Sequence, residues 1–189
     1  AIAGGVESMS RAPFIMPKAD TAFSRGNQIF DTTIGWRFIN PKIEASFGVD
    51  SMPETADNVA SEYKVSKADQ DAFALRSQQR WAAADAAGIF ANEILPVHIE
   101  QQRGDTIVID QDEHPRPKTS LEKLNKLGRI NGPKSTVTAG NASGVNDGAA
   151  ALLLASKKGL ETHGLNSIAR TLGVAAAGVA PRITGTGPV

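Results

Sequence analysis

Thr136-Val-Thr-Ala-Gly-Asn-Ala-Ser-Gly-Val-Asn-Asp-Gly-Ala-Ala150 combines three glycines with four short polar side chains in one uninterrupted run. Glycine permits turns and close backbone approach that a Cβ atom obstructs, while Asn, Ser and Asp hydrogen-bond to local backbone or to a ligand. Composition alone leaves two interpretations open: a tight turn between buried elements, which is the commoner case, or a ligand-binding loop.

Upstream of this run, residues 11–50 contain three prolines, three glycines and aromatic residues scattered without a clean period. This composition predicts a long, mostly nonhelical excursion, which is uncommon inside a compact domain unless it is functional. At Ser51 the pattern changes, because Ser51 and Glu54 form a capping box and apolar residues follow at helical spacing. We predict a short helix there that ends near Lys64.

The strongest helical pattern begins at a second capping box, Ser66 with Asp69, and runs to about Ala87 with Gly88 as its stop. It contains one stripe of small and apolar residues, which predicts the face that packs in the core. The stripe consists of Ala68, Ala72, Leu75, Ala82, Ala83 and Ala86, flanked by Phe73 and Trp81.

Short alternating or apolar runs predict the strands. The run at 148–155 is too short to assign by period, and a strand is preferred there because a β-α-β order then follows. The predicted strands are 93–99, 105–110, 148–155 and 168–177, with Gly104 joining the first two and a short helix at 156–163 between the last two.

Composition excludes several classes of protein. Lys and Arg number 20 and Asp and Glu number 20, so zero formal charge gives no electrostatic reason to expect nucleic-acid binding. No apolar run approaches the roughly 18 residues of a membrane span, and the first residues lack the pattern of a secretory signal. The chain has no cysteine and hence no disulfide framework. We expect a cytoplasmic protein that binds neither nucleic acid nor membrane.

The histidines show no partner spacing that suggests a metal site, and we expect none. We predict that the three histidines are structural or solvated and that three carboxylates in the early excursion are ordinary loop residues. These are His98, His114 and His163, and Asp20, Asp31 and Asp50.

Three segments resemble motifs of the thiolase superfamily, in that family's order. They are Gly140-Asn-Ala-Ser-Gly-Val-Asn-Asp-Gly-Ala-Ala150, which resembles GNASG-x-NDGAA, Gly4-Gly-Val-Glu-Ser-Met-Ser10, which resembles GG-x-ESMS, and Ser51-Met-Pro-Glu-Thr-Ala-Asp-Asn-Val-Ala60, which resembles the TAEN helix start. Details in 11–18, 30–39 and 51–55 are most similar to the β-ketoadipyl-CoA thiolase branch. The resemblance covers essentially the whole chain.

The resemblance implies an α/β, thiolase-like fold, of which this chain supplies a part. Thiolases contain two similar βαβ halves and a loop domain that covers the substrate. On this pattern, residues 1–10 end the first half, residues 11–144 form the loop domain over the CoA and acyl site, and residues 145–189 start the second half. The family's nucleophilic cysteine lies upstream of the first glycine segment and its other catalytic groups lie downstream of Gly-Thr-Gly-Pro, so we expect the middle of a longer enzyme.

The resemblance implies acyl transfer between a 3-oxoacyl-CoA and CoA, and we expect the 3-oxoacyl-CoA to be β-ketoadipyl-CoA. CoA is then a substrate, and we expect no further cofactor. Thiolases transfer the acyl group through a cysteine thiolate, and this chain contains no cysteine. We therefore predict that these 189 residues supply no catalytic group and are inactive alone. We expect the full-length enzyme to be a homo-oligomer. A second class stays open: a non-catalytic thiolase-like module that binds CoA or assembles with a partner subunit.

The resemblance also implies the residues that bind CoA. Coenzyme A has a pantetheine arm that suits a narrow apolar tunnel with a few hydrogen-bonding groups, and a phosphorylated adenosine that attracts a cation. Ser143 matches the family serine that hydrogen-bonds pantetheine, and Arg116 matches the arginine near the adenine. The small or apolar wall positions are matched by Ala139, Ala142 and Val145.

For the acyl group, the resemblance implies Ile43, Met52 and Ser51. Ser51 stands where acetoacetyl-type thiolases carry a histidine, which favours a different acyl substrate. Chemistry adds Arg37, because the terminal carboxylate of a β-ketoadipyl group must be matched by a cation or by donors when it leaves water. The alternative for Arg37 is a solvated surface cation.

Overall fold

A computed structural model describes all residues, 1–189, as two compact units. The first unit comprises Ala1–Asn58 and Val145–Val189, and the second comprises Val59–Gly144. The helices are α1 (Pro41–Phe47), α2 (Met52–Glu62), α3 (Lys67–Ala86), α4 (Leu121–Asn125) and α5 (Lys157–His163). The strands are β1 (Ile2–Glu7), β2 (Phe14–Ile15), β3 (Phe30–Asp31), β4 (Val97–Ile99), β5 (Ile107–Ile109) and β6 (Gly148–Leu153). No helix has the length and apolarity that crossing a membrane requires.

Both predicted capping boxes are confirmed. At the start of α2 the Ser51 N–H donates to Glu54 Oε2 at 2.7 Å, and the Glu54 N–H donates back to Ser51 Oγ at 3.4 Å. At the start of α3 the Asp69 N–H donates to Ser66 Oγ at 3.1 Å. These bonds satisfy amides that the first helical turn leaves unpaired, which is why local sequence was enough to place both helix starts.

The packed face of α3 differs from the predicted alanine stripe. Asp71 is the one buried residue of the helix, Ala68 and Ala72 are exposed, and Phe73 is largely exposed. The least exposed positions recur at helical spacing instead, at Lys67, Gln70, Asp71, Ala74, Leu75, Gln78, Trp81 and Ala82. The prediction holds for Leu75, Trp81 and Ala82, which are half-buried, and is wrong for Ala68, Ala72, Ala83 and Ala86, which are exposed. It counted only apolar residues, whereas this face also buries a polar network.

Three antiparallel pairs make up the sheets: β1 with β6, β2 with β3, and β4 with β5. The β1–β6 register aligns Ile2 with Leu153 and Glu7 with Gly148. A Cβ on Gly4 would lie 2.4 Å from the Ala150 carbonyl oxygen, so glycine permits this close pairing. The predicted strands at 93–99, 105–110 and 148–155 are confirmed with shorter bounds, as is the helix at 156–163.

The predicted strand at 168–177 is absent. Ile168, Leu172 and Val174 alternate as a strand would, yet their side chains are almost fully exposed and no neighbouring strand pairs with them. A strand needs a partner for its backbone hydrogen bonds, so alternation alone does not produce one. The order after β6 is therefore α5 followed by extended chain rather than β-α-β.

Residues 11–50 form the mostly nonhelical excursion that the composition predicts. The exception is α1, which Asn40 caps by accepting a hydrogen bond from the Lys42 N–H at 2.9 Å, with Pro41 as the first helical residue. Further along the chain, Gly104 has φ of 101° in the connection between β4 and β5, a conformation that favours glycine.

Candidate functional site

An open groove of about 720 Å³ lies within the second unit. Its walls are one face of α3, the turn at His114 and Pro115, and the glycine loop from Gly140 to Ser143. The α3 wall presents Asp69, Gln70, Phe73, Ala74, Ser77, Gln78 and Trp81, which recur at helical spacing. The groove therefore offers aromatic and apolar surface with a few amide and hydroxyl groups and one carboxylate at its Asp69 end, and a mostly apolar lining with a few polar groups is typical of small-molecule sites.

A buried network fixes the glycine loop against α3. Thr138 is fully buried, and its N–H donates to Asn141 Oδ1 at 2.8 Å. The Asn141 amide in turn donates to Asp71 Oδ1 at 3.2 Å and to the Thr136 carbonyl at 3.0 Å. Gln70 adds a bond to Thr136 Oγ1 at 3.0 Å. Because Thr138 and Asp71 are buried, the other members are half-buried and all are paired, the loop has one defined position, and residues 142 and 143 follow it into the groove wall.

The Asp71 carboxylate is the charged member of this network. Its side chain is 2 % exposed and forms an ion pair with Lys67 one helical turn earlier. A buried charge is tolerated only when it is paired and hydrogen-bonded, and here Lys67 and Asn141 meet both requirements. Asp71 therefore acts on the groove through the loop, without lining it.

Gly140 permits the close approach of α4 and the turn that follows it. A Cβ at this position would lie 2.4 Å from Leu124 Cδ2 and 2.6 Å from Leu127 Cδ1, well inside ordinary contact distances. Leu124 is 3 % exposed and forms part of the small core of this unit. The glycine before Asn141 is thus required for packing beneath the loop.

Arg116 follows the His114–Pro115 wall of the groove. Its N–H donates to Gln78 Oε1 at 2.7 Å, which ties this turn to α3. Its Nη1 donates to the carbonyls of Glu113, His114 and Pro115. A guanidinium has five N–H donors, so Nε and Nη2 remain without a protein partner in this arrangement.

Comparison with known proteins places this chain in a family. The model for the thiolase N-terminal domain matches residues 1–158. The chain belongs to the thiolase family. The resemblance seen in the three motifs is thereby confirmed.

Similar sequences are thiolases of bacterial origin. A β-ketoadipyl-CoA thiolase of Pseudomonas aeruginosa is 67 % identical over 189 residues, which is 100 % of this chain and 47 % of the relative. The 3-oxoadipyl-CoA/3-oxo-5,6-dehydrosuberyl-CoA thiolase of Escherichia coli strain K12 is 57 % identical over 188 residues, again 100 % of this chain and 47 % of the relative. The chain spans about half the length of the curated relatives it matches.

Solved thiolase structures share the fold. Human mitochondrial 3-ketoacyl-CoA thiolase superposes with a TM-score of 0.80 at 37 % identity, covering 100 % of this chain and 46 % of that one. The same human enzyme in complex with CoA gives a TM-score of 0.79 at 38 % identity, covering 97 % of this chain and 44 % of that one. The expected α/β, thiolase-like and partial fold is confirmed.

The residues expected to bind CoA are not all in one place. Ala142 and Ser143 line the groove, and Arg116 follows its His114–Pro115 wall. Ala139 is exposed next to the loop but outside the groove wall, and Val145 belongs to the first unit. Sequence reasoning missed Gln78, which lies one helical turn before Trp81 on the same α3 wall and would have followed from the spacing of polar residues on that face.

The residues expected to border the acyl group all lie in the first unit. Ser51 caps α2, Met52 is the first residue of that helix and is exposed, and Ile43 is exposed on α1. Arg37 is half-buried and donates to the carbonyl of Gly35. Their role in substrate binding stays a prediction.

The structure changes one expectation about the polar residues, the one about Asp50. Among the histidines, all of them exposed, His114 lines the groove, and no group of three His, Cys, Asp or Glu residues could hold a metal ion. Asp50 is not an ordinary loop carboxylate, because it forms an ion pair with Arg182 at 2.7 Å. The sequence separation between them hides this pair from local reasoning.

Proposed function

We propose that the groove of the second unit binds coenzyme A and that the chain is part of a thiolase, which transfers an acyl group between β-ketoadipyl-CoA and CoA. The observation that carries the proposal is the presence of Ala142 and Ser143 in the wall of a groove whose Gln78 also accepts a hydrogen bond from the Arg116 N–H. A thiolase of this fold has been solved with CoA bound. The names of relatives more than half identical support the dicarboxylic acyl group.

The groove suits the chemistry of each part of CoA. Pantetheine carries two amides on a flexible apolar arm, and the wall offers Phe73 and Trp81 beside the Gln70 amide and the Ser143 hydroxyl. The nucleotide carries phosphates, which a guanidinium binds through parallel N–H donors. Nη1 of Arg116 is held by three backbone carbonyls, which fixes the guanidinium and leaves its other donors for the ligand.

Two substitutions test CoA binding. They are made in the protein that is encoded by the whole reading frame containing this chain, which is called the protein from the whole reading frame. Ser143→Ala should weaken CoA binding by about 0.5–1.5 kcal/mol, the contribution of one neutral hydrogen bond. Arg116→Ala should weaken CoA while sparing a pantetheine thioester that lacks the nucleotide. Calorimetric titration gives both affinities, and Ser61→Ala and Arg80→Ala are matched controls because both residues are exposed and lie outside the groove. Equal loss with both ligands would make Arg116 structural.

We propose Arg37 as the partner of the distal carboxylate of the acyl group. The guanidinium is anchored by the Gly35 carbonyl rather than by the rings of Trp36 and Phe38, and Phe38 instead packs edge-on against Phe30 at 5.3 Å. Anchoring through Nη1 leaves the guanidinium edge able to fork onto a carboxylate.

The acyl assignment is tested by comparing two substrates. Arg37→Gln should lower kcat/KM for β-ketoadipyl-CoA and leave acetoacetyl-CoA nearly unchanged, because only the first carries a distal charge. Arg25→Gln is the matched control, since Arg25 is exposed in the same excursion. An equal loss for both substrates, or none, would make Arg37 a surface cation.

A second candidate function is a non-catalytic module that binds CoA or assembles with another subunit. It is favoured by one observation, the absence of cysteine from a chain that contains a formed groove. Thiolysis assays on the protein from the whole reading frame separate the two candidates. Turnover supports the thiolase, whereas CoA binding without turnover supports the module. Homo-oligomeric assembly and a cytoplasmic location stay predictions.

A further inference from the structure

A three-residue cluster in the first unit joins two distant parts of the chain. Arg182 Nε donates to Asp50 Oδ2 at 2.7 Å. The Asn58 amide donates to the same oxygen at 3.1 Å and to the Arg182 carbonyl at 3.1 Å. The three residues thus form a closed set of contacts around one carboxylate oxygen, which is called the Asp50 cluster below. The Asp50 carboxylate raises the pKa of Arg182 above its ordinary value through this hydrogen bond and its charge.

The local chain is shaped to form this cluster. Gly48 ends α1 with φ of 74°, a left-handed conformation that favours glycine, and turns the chain so that Asp50 faces Arg182. A Cβ on Gly48 would come within 3.8 Å of Asp50 Oδ2 and 3.9 Å of Arg182 Cδ, so the turn lies directly against the pair. Arg182 itself sits in the short 3₁₀ segment Pro181–Thr186.

The position of the Asp50 cluster gives it more significance than an ordinary surface ion pair. Asp50 immediately precedes Ser51 and Met52, which open α2, and Asn58 lies further along the same helix. The cluster therefore holds α2 both before its first residue and at the end of its second turn. Exposed ion pairs contribute little to stability, but a pair that fixes the direction of a helix start determines where the first side chains of that helix point.

We propose that Arg182 is a positioning residue for the acyl end of the substrate, acting through Asp50 and Asn58 on Ser51 and Met52. This inference rests on the proposed function, because it takes those two residues as the border of the acyl pocket. It adds a residue from the 3₁₀ segment near the end of the chain, which the sequence motifs did not connect with the acyl group. Arg182 touches no substrate in this account.

The test compares variants of the protein from the whole reading frame. Arg182→Gln should raise KM for the 3-oxoacyl-CoA by about two- to thirtyfold, the range for residues that act without ligand contact, and leave KM for CoA unchanged. Arg182→Lys should recover most of the loss, because an ammonium can still donate to Asp50. Arg170→Gln is the matched control, since Arg170 is exposed and lies outside the Asp50 cluster.

Amide hydrogen exchange of residues 52–56 gives a readout that does not depend on activity. Arg182→Gln should speed exchange at the start of α2, and Asp50→Asn should speed it to the same extent. The double variant should exchange no faster than either single variant, because both substitutions break the same contact. Unchanged exchange, or a loss that affects KM for both substrates equally, would overturn the inference. Wild-type protein that turns over no 3-oxoacyl-CoA would overturn the proposed function, and the exchange result would then decide alone whether Arg182 orders residues 51–56.

Discussion

Replacing Gly140 with alanine perturbs the packing beneath the glycine loop by one carbon atom. The new Cβ would lie 2.4 Å from Leu124 Cδ2 and 2.6 Å from Leu127 Cδ1, whereas carbon atoms pack best at about 3.5–4.0 Å. Leu124 is buried and cannot retreat, while Leu127 is 38 % exposed and can turn outward. Overpacking of this kind costs about 1–3 kcal/mol. Restricting the unfolded chain offsets about 0.4–1 kcal/mol of that. We expect a net loss of about 1.3 kcal/mol, the centre of the range that the two effects allow.

Denaturant unfolding of the protein from the whole reading frame measures this loss, and Gly128→Ala is the matched control. A Cβ on Gly128 meets no atom within 4 Å, so that substitution should be neutral or stabilise by about 0.4–1 kcal/mol. Adding Leu127→Ala to Gly140→Ala should recover part of the loss by making room. The same sign of effect at both glycines, or no recovery, would refute the packing argument.

Three further predictions follow from the charges and the composition. Asp71→Ala should destabilise by about 3–5 kcal/mol in denaturant unfolding, because Lys67, whose side chain is only 19 % exposed, loses its partner, whereas Glu122→Ala in an exposed pair of the same spacing should stay within about 0.5 kcal/mol. Ser10→Ala should lower the melting temperature near neutral pH but not in acid. Hydrogen bonds from Ser10 hold the pKa of Asp147 below its ordinary value. The stability that these bonds contribute is therefore complete above the ordinary pKa and is lost as the pH falls through the lowered pKa. Wild-type and variant melting curves that stay apart in acid would contradict this. The 189-residue chain alone should not cleave β-ketoadipyl-CoA or acetoacetyl-CoA, because it has no cysteine, and turnover that survives removal of contaminating thiolase would contradict that.

Helix starts were predictable because their signals are local. The pairs Ser51 with Glu54 and Ser66 with Asp69 lie three residues apart, and each satisfies amides of its own first turn. The same holds for Gly88, whose left-handed conformation follows the end of α3. Where the deciding contacts lie within one turn, sequence pattern and structure agree.

Elements that depend on distant partners were harder to predict. The strand expected at 168–177 is absent because nothing pairs with it, whereas β1 pairs with β6 from the other end of the chain. The buried face of α3 was misjudged because Asp71 looks like a surface residue until Lys67 and Asn141 are seen around it. The period of the apolar residues indicates which helix face is apolar. It does not indicate which polar side chains are buried because they form hydrogen bonds or ion pairs.

The site was predictable in its loop and less so in its walls. The resemblance singled out Ala142 and Ser143, which line the groove, but also Val145, which belongs to the first unit. Gln78 was missed because the sequence analysis followed only the apolar residues of α3; its bond to the Arg116 turn, 38 residues away in sequence, could not be predicted from that spacing.

Hydrogen exchange with and without CoA, on the protein from the whole reading frame, tests most directly whether this groove holds CoA. We predict that CoA slows exchange at residues 139–144 and 113–117 and along the groove face of α3, since these segments contain the wall residues His114, Pro115 and 140–143. The β4–β5 hairpin should exchange at the same rate in both samples, because no residue of it lines the groove. Protection confined to other segments, or none at a CoA concentration that saturates thiolysis, would contradict the assignment of the groove.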